Sequence, residues 1–262
     1  MEKKYDTPVL VLGAGNIGSA MARGIAAGGR KVVVYNRSLG RLKAFEGAEN
    51  IECTTNIDQA LAAVPWLALI CVETEAVAEL AAAIAPHAAA KGMIVGSCAA
   101  VPTIADIEQA LAIADARIAR VLPNIAATCG SSVNLLAHKG LDEADLAALH
   151  SALEHTGSTF DVPERLFGPA MSLSSCGIAF ALRYVRAQTE AAVALGMAPA
   201  LAASICGATL AGTAALVATG EHPEALVDRV TTPGGLTIRG LNAMEDAGFT
   251  RAVMAGVKNA VR

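Results

Sequence analysis

With 262 residues, 54% of them hydrophobic, the chain can build one large domain or two of ordinary size around a full core, which excludes a disordered protein. A formal net charge of -4 and the lack of any Lys/Arg run remove the electrostatic footprint of a nucleic-acid binder and leave a small-molecule partner as the expectation. The six cysteines are scattered, with no CxxC pair and no His at metal-ligand spacing, so no metal site is expected and the thiols read as reduced, mostly buried side chains of a cytoplasmic protein.

The opening "MEKKYDTPVLVLGAG" sets basic residues before an apolar run, but the run is short and leads into glycines without a small-residue cleavage pattern. No export signal is expected from it. From residue 8 to about 162, short β-branched runs ("PVLVLG", "KVVVYN", "LALICV", "GMIVGS" and "ARIARVLP") alternate with Ala-rich amphipathic segments. That alternation predicts a parallel sheet wrapped by crossover helices, an α/β domain over residues 1–162. From "VPERLFGPAM" onward strand signals nearly vanish, and helical periodicity continues with breaks at 196–199, 220–223 and 233–235. An all-helical domain over residues 163–262 follows, with the boundary near Pro163. Within it, residues 191–220 carry no charge and are long enough to cross a bilayer. The stretch is rich in Ala, Gly, Ser and Thr, is broken by "GMAP", and has no Lys/Arg asymmetry at its flanks. It reads as two small-faced helices packed closely against another subunit, with no membrane span.

Three segments carry chemistry. "VLVLGAGNIGSAMARGIAAGG" places Gly13, Gly15 and Gly18 directly after a strand and at the opening of a helix, with Asn16 and Ile17 between them. In that context Gly13 makes a tight turn, Gly15 admits a dinucleotide pyrophosphate and Gly18 lets helix pack on strand. At the end of the second strand stand Tyr35, Asn36, Arg37 and Ser38. An NAD site has a carboxylate there for the ribose hydroxyls; a guanidinium and a hydroxyl without an acid suit the 2′-phosphate of NADP. The alternative for Arg37 is a solvated charge. The third segment is "VTTPGGLTIRGL" at 230–241, whose Gly234 and Gly235 precede an apolar helical run. Freely approachable N–H groups at a helix start form a small anion cradle, and the alternative is a Gly-rich turn that only begins a helix. His87, His138, His150, His155 and His222 have no partner at motif spacing, Trp66 and the tyrosines read as packing, and Arg183, Arg186 and Glu190 read as a solvated face or interface pairs.

"LGAGNIGSAM", "RVLPNIAATCG" at 120–130 and above all "GEHPEALVDRVTTPGGLTIRGLNAMEDAGF" at 220–249 resemble the pyrroline-5-carboxylate reductases, over nearly the whole chain. The resemblance implies a Rossmann domain followed by a helical dimerisation domain, and reduction of a cyclic imine to proline by NADPH. It also implies that the substrate carboxylate sits on the loop from Thr231 to Thr237, with N–H groups around Gly234, Gly235 and Thr237 and the Thr232 hydroxyl as donors. Thr237 would orient the ring nitrogen, and Cys71, Val72, Pro123 and Asn124 would lie along the cofactor.

The chain departs from that family at three places. Its Ala-Val-Lys-Pro becomes Cys71, Val72, Glu73 and Thr74; its Pro-Asn-Thr-Pro becomes Pro123, Asn124, Ile125 and Ala126. Its Ser-Gly-Ser-Gly-Pro-Ala-Tyr becomes the run from Ser174 to Phe180, with Ile178 the one bulky newcomer. The cradle is therefore kept while the surroundings of the ring change, which leaves open pyrroline-5-carboxylate or a close cyclic imino acid as substrate. A homodimer or larger homo-oligomer is expected. Two other readings stand beside this one: a non-catalytic NADP-binding dimer, and a hydroxyacid dehydrogenase of the 3-hydroxyisobutyrate type, whose catalytic lysine has no counterpart between Arg165 and Val185.

Overall fold

The computed structural model describes residues 4–261, so the first three residues of the segment read for an export signal lie outside the described residues. The chain forms two compact units, the first ending at Met171 and the second beginning at Ser172.

The first unit is an eight-stranded sheet in the order β3-β2-β1-β4-β5-β6-β7-β8. Its strands are β1 (Val9–Leu12), β2 (Val32–Tyr35), β3 (Ile51–Thr54), β4 (Leu67–Ile70), β5 (Ile94–Ser97), β6 (Ile118–Leu122), β7 (Ser132–Lys139) and β8 (Gly157–Asp161). The helices are α1 (Asn16–Ala27), α2 (Leu39–Leu42), α3 (Ile57–Ala62), α4 (Thr74–Lys91), α5 (Ile104–Leu111) and α6 (Glu143–Leu153). Every residue of β1, β4, β5 and β6 is buried, as continuous apolar runs require when helices cover both faces. Alternation then divides the core: Val9 and Val11 meet Met21 and Ile25 of α1 and Leu149 of α6, while Leu10 and Leu12 meet Ile84 of α4 and Ile107 of α5. The chain runs outward from β1 through β2 to β3 and returns to β4 on the other side of β1. That reversal puts the ligand crevice of an open α/β sheet at the carboxyl ends of β1 and β4.

Three strands, β3, β7 and β8, lie outside the β-branched runs of the sequence. β3 and β8 are sheet edges, mostly exposed, and carry no apolar run. β7 pairs antiparallel with β6, against the all-parallel expectation, because residues 123–131 are too few for a crossover helix and close with a 3₁₀ turn. The cysteines also depart from expectation: all are free thiols, but Cys53 on edge strand β3 and Cys129 at the end of that turn are exposed, and the other four are half-buried.

Helix α7 (Phe167–Ser174) begins within the first unit, where Phe167 and Met171 pack with Leu122 of β6 and Leu135 and Ala137 of β7. The compact unit therefore extends past Pro163 by the length of that apolar contact. The Arg120 guanidinium lies over the Phe167 ring and pairs with Glu164 at 2.9 Å.

The second unit, taken by itself, holds α8 (Cys176–Ala194), α9 (Pro199–Val217), α10 (Pro223–Val230), α11 (Leu236–Asp246) and α12 (Phe249–Asn259). The charge-free stretch is the end of α8, a turn at Gly196 with φ +92°, and α9, which opens on Pro199. Helices α8 and α9 pack together, and Tyr184 of α8 meets Phe249 of α12 at 6.3 Å between ring centroids. Within α8–α12 only Ala202 is fully buried, while Leu182, Leu195, Leu201, Ile205, Leu216 and Val217 are exposed in the single chain. By length and composition the helical stretches Glu164–Ala194 and Pro199–Val217 would suffice to cross a membrane.

Candidate cofactor and substrate site

The glycine turn forms where β1 ends. Gly13 has φ +110°, and its N–H donates to the Tyr35 carbonyl at 2.8 Å. A Cβ there would lie 2.5 Å from the Cys71 carbonyl oxygen and 2.8 Å from Val72 Cγ1, so the end of β4 presses directly on the turn. Gly18 is as constrained, since its Cβ would lie 2.0 Å from the Gly13 carbonyl oxygen. Gly15 is the N-cap of α1, with no side-chain cap and no acid in the helix's first turn. The first N–H groups of α1, at Asn16, Ile17 and Gly18, therefore lack intrahelical acceptors, and the helix dipole adds positive potential. A Cβ on Gly15 would meet only the Arg41 guanidinium, at 3.3 Å. Turn, open approach and tight packing thus fall to Gly13, Gly15 and Gly18 respectively, and the residues fit a dinucleotide pyrophosphate.

Asn36 is occupied by the protein. Its Oδ1 accepts from the Ala14 N–H at 3.1 Å, and its Nδ2 donates to the Ser38 carbonyl at 2.8 Å and to Ser38 Oγ at 3.2 Å. It braces the glycine turn against the end of β2, while Arg37 and Ser38 remain exposed to solvent. Cys71 donates its N–H to the Leu12 carbonyl at 2.8 Å. The Cys98 thiol beside it, then burial, push the Cys71 thiol well above its ordinary value, which disfavours the thiolate. Pro123 and Asn124 are buried behind the edge: Asn124 Oδ1 accepts from the Ala126 N–H at 3.0 Å, and its own N–H donates to Ser132 Oγ at 3.0 Å. Among the departures from the reductase motifs, Glu73 and Ile125 are exposed, whereas Thr74, Ala126 and Ile178 are half-buried.

The cradle in the second unit is built on a left-handed residue. Gly234 has φ +69°, and Gly235 is the N-cap of α11 with no side-chain cap and no acid in the first turn. The Gly235 N–H donates to the Thr232 carbonyl at 2.9 Å, so it is spent on the turn and is not among the anion donors expected from the sequence. The donors left are the N–H groups of the first turn, at Leu236, Thr237 and Ile238. Thr232 Oγ1 lies 2.4 Å from where a Gly235 Cβ would stand, which places that hydroxyl against the same helix start. Thr232 and Thr237 are exposed; Thr231 instead donates its hydroxyl to the Val227 carbonyl at 2.8 Å.

Two of the histidines serve elsewhere: His222 Nδ1 accepts from the Glu224 N–H at 3.2 Å and caps α10, and His150 pairs with Asp161 at 3.1 Å. Arg186 and Glu190 form an exposed pair at 2.7 Å, and Trp66 is buried edge-on against Tyr5. No group of His, Cys, Asp and Glu among the described residues could hold a metal ion. Arg41 was not anticipated from the sequence, although its place four residues after Arg37, just past the helix-starting Ser38, was the available signal.

A glycine turn at the switch point of a parallel-dominated sheet, followed by a helical region, defines a Rossmann-class oxidoreductase that takes a nicotinamide dinucleotide. Residues 164–262 match the model for pyrroline-5-carboxylate reductase dimerisation, and residues 8–101 match that for NADP oxidoreductase, coenzyme F420-dependent. Pyrroline-5-carboxylate reductase 2 of Dictyostelium discoideum is 31% identical over 97% of this chain and 91% of its own length. Pyrroline-5-carboxylate reductase 1 of the same organism is 32% identical over 97% of this chain, which spans only 49% of that relative. The structure of a Plasmodium falciparum pyrroline carboxylate reductase with NADP bound superposes with a TM-score of 0.83 at 21% identity, covering 98% of this chain and 96% of that one. The chain belongs to the pyrroline-5-carboxylate reductase family.

Proposed function

We propose that the protein is an NADPH-dependent reductase of pyrroline-5-carboxylate, or a close cyclic imino acid, that forms proline and works as a homodimer in the cytoplasm. The observation that carries this reading is the pair of uncapped, acid-free helix starts at Gly15 and Gly235, one on each unit, in a chain of this family. The first suits a pyrophosphate and the second a single carboxylate. NADP rather than NAD is supported by Arg37 and Ser38 at the end of β2, where no acid stands to repel a 2′-phosphate, and by the NADP bound to the Plasmodium relative.

The imine carboxylate is held by the free N–H groups at the start of α11 and by the Thr232 hydroxyl. Each such charge-assisted bond contributes roughly 1.5 to 3 kcal/mol. Thr237, the second residue of α11, orients the ring nitrogen through its hydroxyl; it is far too weak an acid to act as a strong proton donor. When bound, the nicotinamide would supply hydride to the C=N carbon of an imine already protonated on nitrogen, so the nitrogen ends as a neutral amine without a proton from the chain. The chain's own contribution is position: a fixed carboxylate at one end of the substrate and a hydroxyl at the nitrogen.

Dimer formation is supported by the match to the dimerisation model and by the apolar side chains that α8 and α9 leave exposed in one chain. The small residues of α9 and the interruption at 196–199 suit close helix packing against a second copy better than a lipid-facing span. The free cysteines fit a reducing compartment.

The test follows NADPH consumption, with chromatographic identification of the product, across a panel of cyclic imino acids of different ring size. Pyrroline-5-carboxylate is expected to show the highest kcat/KM and to yield proline. Consumption with none of the panel would favour a non-catalytic dimer.

A further inference from the structure

We infer that Arg41 is a phosphate-binding residue of the dinucleotide site, closing over the pyrophosphate from the side opposite the start of α1. It sits on α2, the short helix that Ser38 opens directly after β2. Its Nη1 lies 3.3 Å from the position a Gly15 Cβ would take and, leaving aside Gly15's own chain neighbours, is the sole atom within 4 Å of it among the described residues, so the guanidinium lies over the Gly15 backbone. Among the described residues the Arg41 side chain makes no hydrogen bond or ion pair, while its backbone carbonyl accepts from the Lys43 N–H. Arg23 of α1, by contrast, is engaged: it donates to the Ala44 carbonyl and lies over Phe45.

This placement is electrostatically incomplete. A guanidinium stands at the positive end of α1, whose first turn contains no acid and whose N-cap supplies no side-chain acceptor. Two positive groups set side by side are stabilised by an anion that contacts both, and a guanidinium fork matches two phosphate oxygens. The anion that docks on the N–H groups after Gly15 is the pyrophosphate, which NADPH and NADH share. Arg37, directly after β2, is left to the 2′-phosphate. The two guanidiniums thus divide the work: Arg41 contributes affinity for either cofactor, and Arg37 contributes the choice between them.

The assignment rests on dinucleotide binding at the glycine turn and is independent of whether NADPH or NADH is preferred. Titration calorimetry of the full-length protein with NADPH and with NADH, without imine, separates the two. Arg41→Met is expected to raise Kd for both cofactors in parallel by about tenfold, the weakening that loss of one charge-assisted phosphate bond produces. Arg41→Lys should fall between, because a lysine keeps the charge and loses the fork. Unchanged Kd values in Arg41→Met overturn the inference, and a loss confined to NADPH overturns it by moving Arg41 to the 2′-phosphate. A wild-type protein that prefers NADH would defeat the NADP reading instead, while a parallel loss in Arg41→Met would still support the role of Arg41.

Discussion

A Cβ on Gly18 would stand 2.0 Å from the Gly13 carbonyl oxygen, a contact that only backbone movement can relieve. Gly18→Ala is therefore expected to open the turn and abolish measurable NADPH binding by calorimetry, with little change in the second unit's helicity. Thr237 acts differently. Exposed in the first turn of α11, it touches nothing that holds the fold, so Thr237→Ala should lower kcat on the order of 10- to 100-fold while leaving the Kd for NADPH near wild type. Wild-type turnover in that variant would remove Thr237 from the chemistry. Asp145 shows a structural role at the same scale: its buried carboxylate accepts from Tyr5 at 2.6 Å and pairs with Lys4 at 3.1 Å and with Arg117. Asp145→Asn leaves a half-buried guanidinium uncompensated and should cost about 3 kcal/mol in denaturant unfolding.

At the scale of elements, helix starts differ in their local chemistry. Helix α5 has a full capping box: the Thr103 N–H and hydroxyl donate to Asp106 Oδ2 at 2.8 and 2.7 Å, and the Asp106 N–H donates back to Thr103 Oγ1 at 3.1 Å. Those bonds hold the Asp106 carboxyl below its ordinary value. The stabilisation is present above the ordinary carboxylate range and is lost as pH falls through the lowered value. Thr103→Ala should lower stability in denaturant unfolding at neutral pH and by less in acid, where only the bond from the Asp106 N–H remains to be lost. Helices α1 and α11 have no such cap, and both begin on glycine. These starts were legible because glycine spacing is local. Strands β3 and β8 were not, since an edge strand needs no apolar run, and the antiparallel turn of β7 depends on the length of its connection. The Gly235 N–H likewise looked available until the turn showed it bonded to Thr232.

For the whole molecule, the apolar side chains of α8 and α9 set the expectation. Ala208, in the middle of α9, and Ala215, in its last turn, are small and exposed in the single chain. If a second copy covers them, Ala208→Asp or Ala215→Asp places an unpaired charge in an apolar interface, which costs several kcal/mol or more. Sedimentation should show the dimer dissociating, and turnover should fall with it. A variant that sediments as a monomer at full turnover would show that one chain carries a complete site.

The sequence by itself determined the glycine turn, the acid-free end of the second strand, the glycine pair that opens α11 and the change from strand to helix after residue 162, because each is written in contiguous residues whose backbone preferences are local. Tertiary structure alone decided what depends on residues far apart in the chain. It set β7 against β6, kept the first turns of α7 packed on the sheet, and laid Cys71 against Gly13. It also committed Asn36 to bracing Ala14 and brought Arg41 over Gly15, for a side chain's bonding partner is chosen by the packing of strands that the local sequence does not encode.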